Sequence, residues 1–303
     1  MDGVVGRRLA DRARPEVRRW HRAKPVSGNP SLAEDLVALG LRPGATVLAH
    51  ASLRRVGAGA DAVLAALRAV LGIEGTLVAP TFTAGNSDTS PAYRDRIRNM
   101  TPDQIRSLQR DMPPFDPDST PSEGMGQLAE AVRCAEGRVR SAHPQTSFAA
   151  VGARAGLLLT GHDENCHLGE RSPLGRLYAS DAQVLLLGVG FEVCSAFHLA
   201  EYRIPDPPTR TYRCVVVRDG ARQWISYGDI DLDDSDFGAL GADFEKSDAA
   251  RPDPVVRGGR VGDTHARLFP LDAAVDFATS WLAGKRSRRL FTDPSQNAAR
   301  FLH

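Results

Sequence analysis

Lysine is nearly missing from this 303-residue chain: Lys24, Lys246 and Lys285 are the only ones among 38 basic residues. Arginine carries the rest, and 37 acidic residues bring the net charge to +1. No global field therefore draws the protein to nucleic acid or to a membrane surface. Cysteine is scarce too, and Cys134, Cys166, Cys194 and Cys214 show neither CxxC spacing nor the density of a disulfide framework. No apolar run approaches the roughly 20 residues of a spanning helix, and the first residues lack a signal-peptide core, so the expectation is a cytoplasmic protein. His162, Cys166 and His167 form only a loose cluster without HExxH or paired CxxC, and no metal is expected. No GxSxG elbow raises a serine nucleophile.

What the chain does have is an ordinary globular composition, 42% hydrophobic and 25% charged, and a strand–helix alternation. SLAEDLVALGL predicts a helix capped at Ser31 with Glu34 three positions on. ATVLAH then reads as a buried strand, DAVLAALRAVLG as an amphipathic helix and GTLVAPTFT as a second strand, an α/β signature. QVLLLGVG is the most apolar strand, and TYRCVVVRDGARQWISY predicts two strands joined at Asp219-Gly220. The pattern dissolves between Ala84 and Thr120, with one candidate helix at PDQIRSLQR. No repeat or linker separates domains. The expected fold class is α/β, a single mixed-sheet domain flanked by helices, with a β-hairpin in its C-terminal half and an inserted loop region. A basic extension over residues 1–30 precedes the domain at 31–303, whose variable insertion covers about 84–120.

Three features carry possible chemistry. VGAGADA follows the first strand and opens a helix, but the acidic residue of a dinucleotide fingerprint is absent from the end of the second strand. What remains is a glycine turn preceded by Arg54 and Arg55, equally suited to an anion or to a plain loop-to-helix junction. LLLGVGFEVCSAFHLAEYRIP (residues 185–205) runs from a strand through a glycine corner to His198 and Glu201, three apart and so on one helical face. Cys194 lies four residues before His198, which leaves a thiol–imidazole pair open, although cysteine is commonly a small buried hydrophobe. DIDLDDSDF places five aspartates between Asp229 and Asp236. This is either a solvated loop or an anionic wall for a cationic ligand.

The order of several blocks is more specific than any of these. HASLRRVG (50–57), GTLVAPTFT (75–83), PPFDPDSTPSEGMGQLAEAVR (113–133), VRSAHPQTSFAAVGARA (139–155), LGERSPLGRLY (168–178) and HLAEYR (198–203) follow one another along the chain. In that order they resemble the aminoglycoside 3-N-acetyltransferase family, acetyl-CoA-dependent enzymes distinct from the GNAT acetyltransferases. The resemblance implies that Ser52, Leu53, Arg54, Arg55, Val56 and Gly57, with Ser147 and Phe148, help bind acetyl-CoA. It implies His198 as catalytic base, with Glu201 and Glu170 as the carboxylates that orient it or hold the substrate ammonium. Glu123, Asp233 and Asp234 are implied on the substrate side, where a polycationic aminoglycoside needs acids. The arginines of residues 84–120 fit such a ligand only if they face solvent or pair with acids, and otherwise point to another small amine. A thioester hydrolase using Cys194 and His198, and a CoA-binding module without catalysis, are the rivals from other classes. The expected partner is a small amine, with the protein a monomer or homodimer.

Overall fold

The structure, a computed structural model, describes residues 30–292. The basic extension read at residues 1–30 lies outside them except for its last residue. The chain opens with helix α1 (Pro30–Leu39), strand β1 (Thr46–Ala51), the short helix α2 (Leu53–Val56), α3 (Ala60–Leu71) and β2 (Thr76–Pro80). Next come α4 (Pro91–Ile97), α5 (Pro102–Asp111), α6 (Gln127–Cys134), β3 (Val139–Arg140), β4 (Phe148–Gly152), α7 (Ala155–Leu159) and α8 (Pro173–Tyr178). The remainder is β5 (Gln183–Leu187), a 3₁₀ turn (Phe191–Val193), α9 (Phe197–Glu201), β6 (Thr209–Arg218), β7 (Ala221–Ile230), α10 (Phe237–Ala249), β8 (Arg257–Val261), β9 (Thr264–Pro270) and α11 (Leu271–Thr292).

Seven strands make one mixed sheet in the order β3-β4-β2-β1-β5-β9-β8. β1 runs parallel to both neighbours, β2 and β5, and the outer pairings are antiparallel. Helices cover both faces, so the central strands are mostly apolar. Their period-two alternation divides the core. Val47, Ala49, Leu77 and Leu185 pack with α1, α3 and α6, whereas Leu48, Val78, Val184 and Leu186 pack with α8, α9 and α11. Each of these buried valines and leucines contributes roughly 1.5–3 kcal/mol. His50 lies two residues beyond Leu48 and so shares the α9 side of the sheet.

The expected hairpin is a separate ribbon of β6 and β7, paired from Thr209↔Ile230 to Arg218↔Ala221. Its two-residue turn has positive φ at both Asp219 (52°) and Gly220 (73°), the twist that a tight hairpin requires. Helix α1 begins at Pro30, so Ser31 lies inside it rather than capping it. The 84–120 segment is more ordered than its polar sequence suggests. Ser90 accepts the Tyr93 N–H ahead of α4, and Thr101 and Gln104 form a reciprocal capping box on α5, each helix with proline in its first turn. No residue of α5 is fully buried; the capping box fixes its start, and half-buried Leu108 packs toward Tyr93, Met112 and Val215.

Candidate active site

The carboxyl ends of β1, β2 and β5 converge on a cavity of about 810 Å³. β1 has its successors on opposite sides, which makes this the switch point where open α/β sheets bind ligands. His50, Ser52, Leu53 and Arg54 line it from the β1 end, Pro80 and Phe82 from the β2 end, and Val189, Glu192, Ser195 and His198 from beyond β5. Met125, Leu168, Leu232 and Phe237 complete largely apolar walls.

Gly188, with φ of 68°, turns the chain out of β5. The 3₁₀ turn and α9 then carry His198 to the cavity wall. His198 Nδ1 lies 2.5 Å from Glu201 Oε2, and the two side chains are 12% and 1% exposed. A carboxylate only accepts, so Nδ1 carries the proton and Nε2 of the neutral ring is left as an acceptor. The other oxygen, Glu201 Oε1, accepts from Arg286 Nη1 at 2.5 Å and from the Asp233 N–H at 3.0 Å. Beside this pair, His50 Nε2 lies 3.3 Å from Ser195 Oγ. Burial, and secondarily the neighbouring His198, push the His50 imidazole down to about 4, so it is neutral at physiological pH.

The sequence profile of the family described as Aminoglycoside 3-N-acetyltransferase matches residues 48–283, most of the chain and all of the cavity lining. The chain belongs to the aminoglycoside 3-N-acetyltransferase family. Among its relatives is the SPbeta prophage-derived aminoglycoside N(3')-acetyltransferase-like protein YokD of Bacillus subtilis. It is 38% identical over 264 residues, covering 86% of this chain and 94% of YokD. The YokD crystal structure superposes with a TM-score of 0.78, at 36% identity over 85% of this chain and 94% of that one. Aminoglycoside N(3)-acetyltransferase VII of Streptomyces paromomycinus is 36% identical over 270 residues, 85% of this chain and 92% of its own. AAC-IIIb, solved as a binary complex with CoASH, matches with a TM-score of 0.72 at 29% identity, covering 84% and 96% of the two chains.

Within this acetyltransferase the residues singled out in the sequence separate. Glu170 does not sit against His198; its Oε1 accepts from Arg203 Nε at 2.7 Å and its side chain is 56% exposed. Glu123 accepts the Gly85 N–H at 2.9 Å beside the cavity mouth, next to Gly124, which lines it. Leu53 and Val56 are core residues that anchor α2. Arg54 lines the cavity, whereas Arg55 donates to Gly188 O at 3.0 Å. Gly57, in the left-handed region, closes α2 beside the Asp263 carboxylate. Ser147 and Phe148 are fully buried and do not line the cavity. Ser147 Oγ donates to Thr81 O at 2.8 Å, and Phe148 packs edge-on against Phe82, which does line it. In the HPQTSFAA block it is Thr146, in the turn that precedes β4, that reaches the cavity.

The aspartate run is not one acidic wall. Asp229 is buried and takes bonds from His167 Nδ1 at 2.8 Å and Tyr202 OH at 2.7 Å; these outweigh burial and hold its carboxyl below the usual range. Asp231 pairs with Arg210, and Asp236 with Arg286. Asp233 accepts the Ser235 N–H on Oδ1. Of the five, Asp234 alone lines the cavity, joined there by Glu192 from beyond β5. Cys194 is fully buried, and burial pushes its thiol up to about 12, far from a thiolate at neutral pH.

Sequence reading passed over His50, Thr146, Ser195, Glu192 and Arg286. HASL and HPQT held the first two in plain view, whereas Arg286 lies 85 residues from Glu201 with no motif around it. Among the described residues no group of three or more His, Cys, Asp or Glu side chains is placed to hold a metal ion, and no helix is long and apolar enough to cross a membrane.

Proposed function

We propose that the protein transfers the acetyl group of acetyl-CoA directly to the 3-amino group of a 2-deoxystreptamine aminoglycoside, with His198 as general base. The observation that carries this reading is the His198–Glu201 pair on the wall of the cavity. An aliphatic amine is mostly ammonium at neutral pH, and only its neutral form attacks a thioester. His198 Nε2 accepts the proton that the attacking nitrogen gives up, while Glu201 fixes the tautomer and stabilises the imidazolium. The new C–N bond forms at the carbonyl carbon, the C–S bond breaks as the tetrahedral oxyanion collapses, and the thiolate takes a proton from the imidazolium. The Ser52 N–H is already bonded to Leu187 O and its side chain does not cap α2. The next amides, of Leu53 and Arg54, are left as donors for the oxyanion. The apolar walls suit a pantetheine arm, and Arg54 suits a phosphate. Acetylation removes one cationic charge from the antibiotic and weakens its hold on a polyanionic ribosomal target, which would confer resistance.

One observation favours a second reading, acetylation of a small amine of lower charge: Asp234 and Glu192 are the only carboxylates among the lining residues. The arginines of 84–120 do not decide between the two. Arg94, Arg96, Arg98, Arg106 and Arg110 are exposed, and three of them pair with Asp95, Asp103 and Asp111. Free-thiol release from acetyl-CoA, with a panel of aminoglycosides and simple amines, separates the readings. The expected result is acceptor-dependent release with aminoglycosides, reduced roughly 10²–10⁴-fold in His198→Ala. Release confined to simple amines selects the second reading, and undiminished release by His198→Ala removes the general base.

A further inference from the structure

Glu201 is the partner of His198, yet half of its hydrogen bonding goes elsewhere. Oε2 holds the imidazole, and Oε1 takes Arg286 Nη1 at 2.5 Å. The same guanidinium donates through Nη2 to Asp233 O at 2.6 Å and to Asp236 Oδ1 at 3.0 Å. Burial works against the Arg286 charge, but Asp236 and Glu201 outweigh it and raise its affinity for the proton above the usual arginine value. One cation therefore ties three groups together: the carboxylate behind the base, the loop that brings Asp234 to the cavity, and Asp236 at the N-cap of α10.

We propose that Arg286 is a positioning residue for acyl transfer, its planar fork clamping Glu201 behind His198 and pinning the 233–236 loop at the cavity wall. The inference rests on the reading of His198 as base. Arg286 belongs to α11, three residues past the end of the family profile at residue 283. A planar guanidinium suits this geometry because its donors meet a carboxylate and a second acceptor at once, which a lysine ammonium on a flexible stem does not reproduce. Without it, Glu201 Oε1 keeps only the Asp233 N–H, and a nearly fully buried carboxylate loses its counter-charge. Docking of α11 does not depend on the clamp. Leu271, Ala274, Val275, Ala278 and Leu282 hold that helix in the core against α9.

A double-mutant cycle on the full chain tests the inference by the amine-dependent thiol release defined above. Arg286→Met is expected to lower kcat on the order of tenfold, with KM for acetyl-CoA little changed, because the lesion lies behind the base rather than on the cofactor walls. Adding Arg286→Met to Glu201→Gln is expected to cost little beyond Glu201→Gln alone, since the arginine acts through that carboxylate. Losses that multiply independently, or full kcat in Arg286→Met, overturn the positioning role. Arg286→Lys keeps the charge and the helix packing, and carries the same cycle if the methionine variant folds poorly. Failure of the base reading looks different: His198→Ala then retains turnover, whereas failure of this inference alone leaves His198→Ala inactive.

Discussion

His198 and Cys194 lie four positions apart, and their surroundings give them opposite chemistry. Both residues border the cavity, but the imidazole edge is open to it with a carboxylate behind, whereas the thiol is fully buried and pushed up to about 12. A thiol that holds its proton at pH 7 is neither a nucleophile nor a base. Cys194→Ala should therefore leave kcat within about twofold, since no acyl-cysteine forms. It should cost on the order of 1–2 kcal/mol in stability through the small cavity it leaves. Steady-state thiol release and urea unfolding on the same preparation check both halves. Loss of turnover with the fold intact would reinstate the thiol. At this scale the sequence showed pairs that are close along the chain. His198 and Glu201 meet because a helical turn brings i and i+3 together. Glu170 read as an equal rival, because nothing local reveals that Arg203 engages it. The aspartate run misled for the same reason: Arg210, Arg286, His167 and Tyr202 claim three of its five carboxyls from other parts of the chain.

The junction between β5 and α9 is where an element's geometry becomes site geometry. Gly188 has a φ of 68°, and a Cβ there would lie 3.1 Å from both the Arg55 side chain and Thr264 Cγ2. A left-handed conformation costs a non-glycine residue roughly 1–2 kcal/mol, and the crowding adds to it. Gly188→Ala should lower the melting temperature by several degrees. It should also lower kcat, because the strain falls on the turn that aims His198 and on the α2 cap. A scanning thermal melt alongside kcat measures both; an unchanged melt would mean that the corner relaxes freely. Elements with strong local signals were legible: the parallel strands through their apolar runs, the hairpin through Asp219-Gly220, and α3 through its apolar face. β8 was not legible, since its Arg-Gly-Gly-Arg core suits a protected edge strand rather than an apolar one. α4 escaped because it is short and is defined by a Ser90 cap rather than by a long apolar stripe. The order of strands in the sheet follows from long-range packing and had no local sign.

Across the whole molecule, burial of histidine sets the acid limit of stability. His50 and His162 are each pushed down from 6.5 to about 4, mainly by burial. His143 and His167 are lowered as well, again by burial first. His143 stacks between the other two rings of its cluster, 4.6 Å from His162 and 4.7 Å from His167 between centroids. In the unfolded chain each imidazole takes up a proton near pH 6.5, but in the folded protein His50 and His162 do so only near 4. The unfolded state thus binds more protons throughout that window. Stability is full above about pH 6.5 and is lost as the pH falls toward 4. For His50 or His162 the loss at pH 5 is about 2 kcal/mol, since each tenfold difference in proton affinity between the folded and unfolded chain corresponds to about 1.4 kcal/mol. The stacked rings share one environment, so their effects do not simply add. Urea unfolding at pH 7.5 and pH 5 should show a drop of several kcal/mol. His162 Nε2 donates to the Cys166 and His167 carbonyls, so His162→Gln costs stability at pH 7.5. It also removes one titrating group, and its deficit relative to the parent should shrink by about 2 kcal/mol at pH 5. A deficit that stays constant with pH would mean that His162 does not titrate in this window, and would assign the acid sensitivity to the remaining buried histidines.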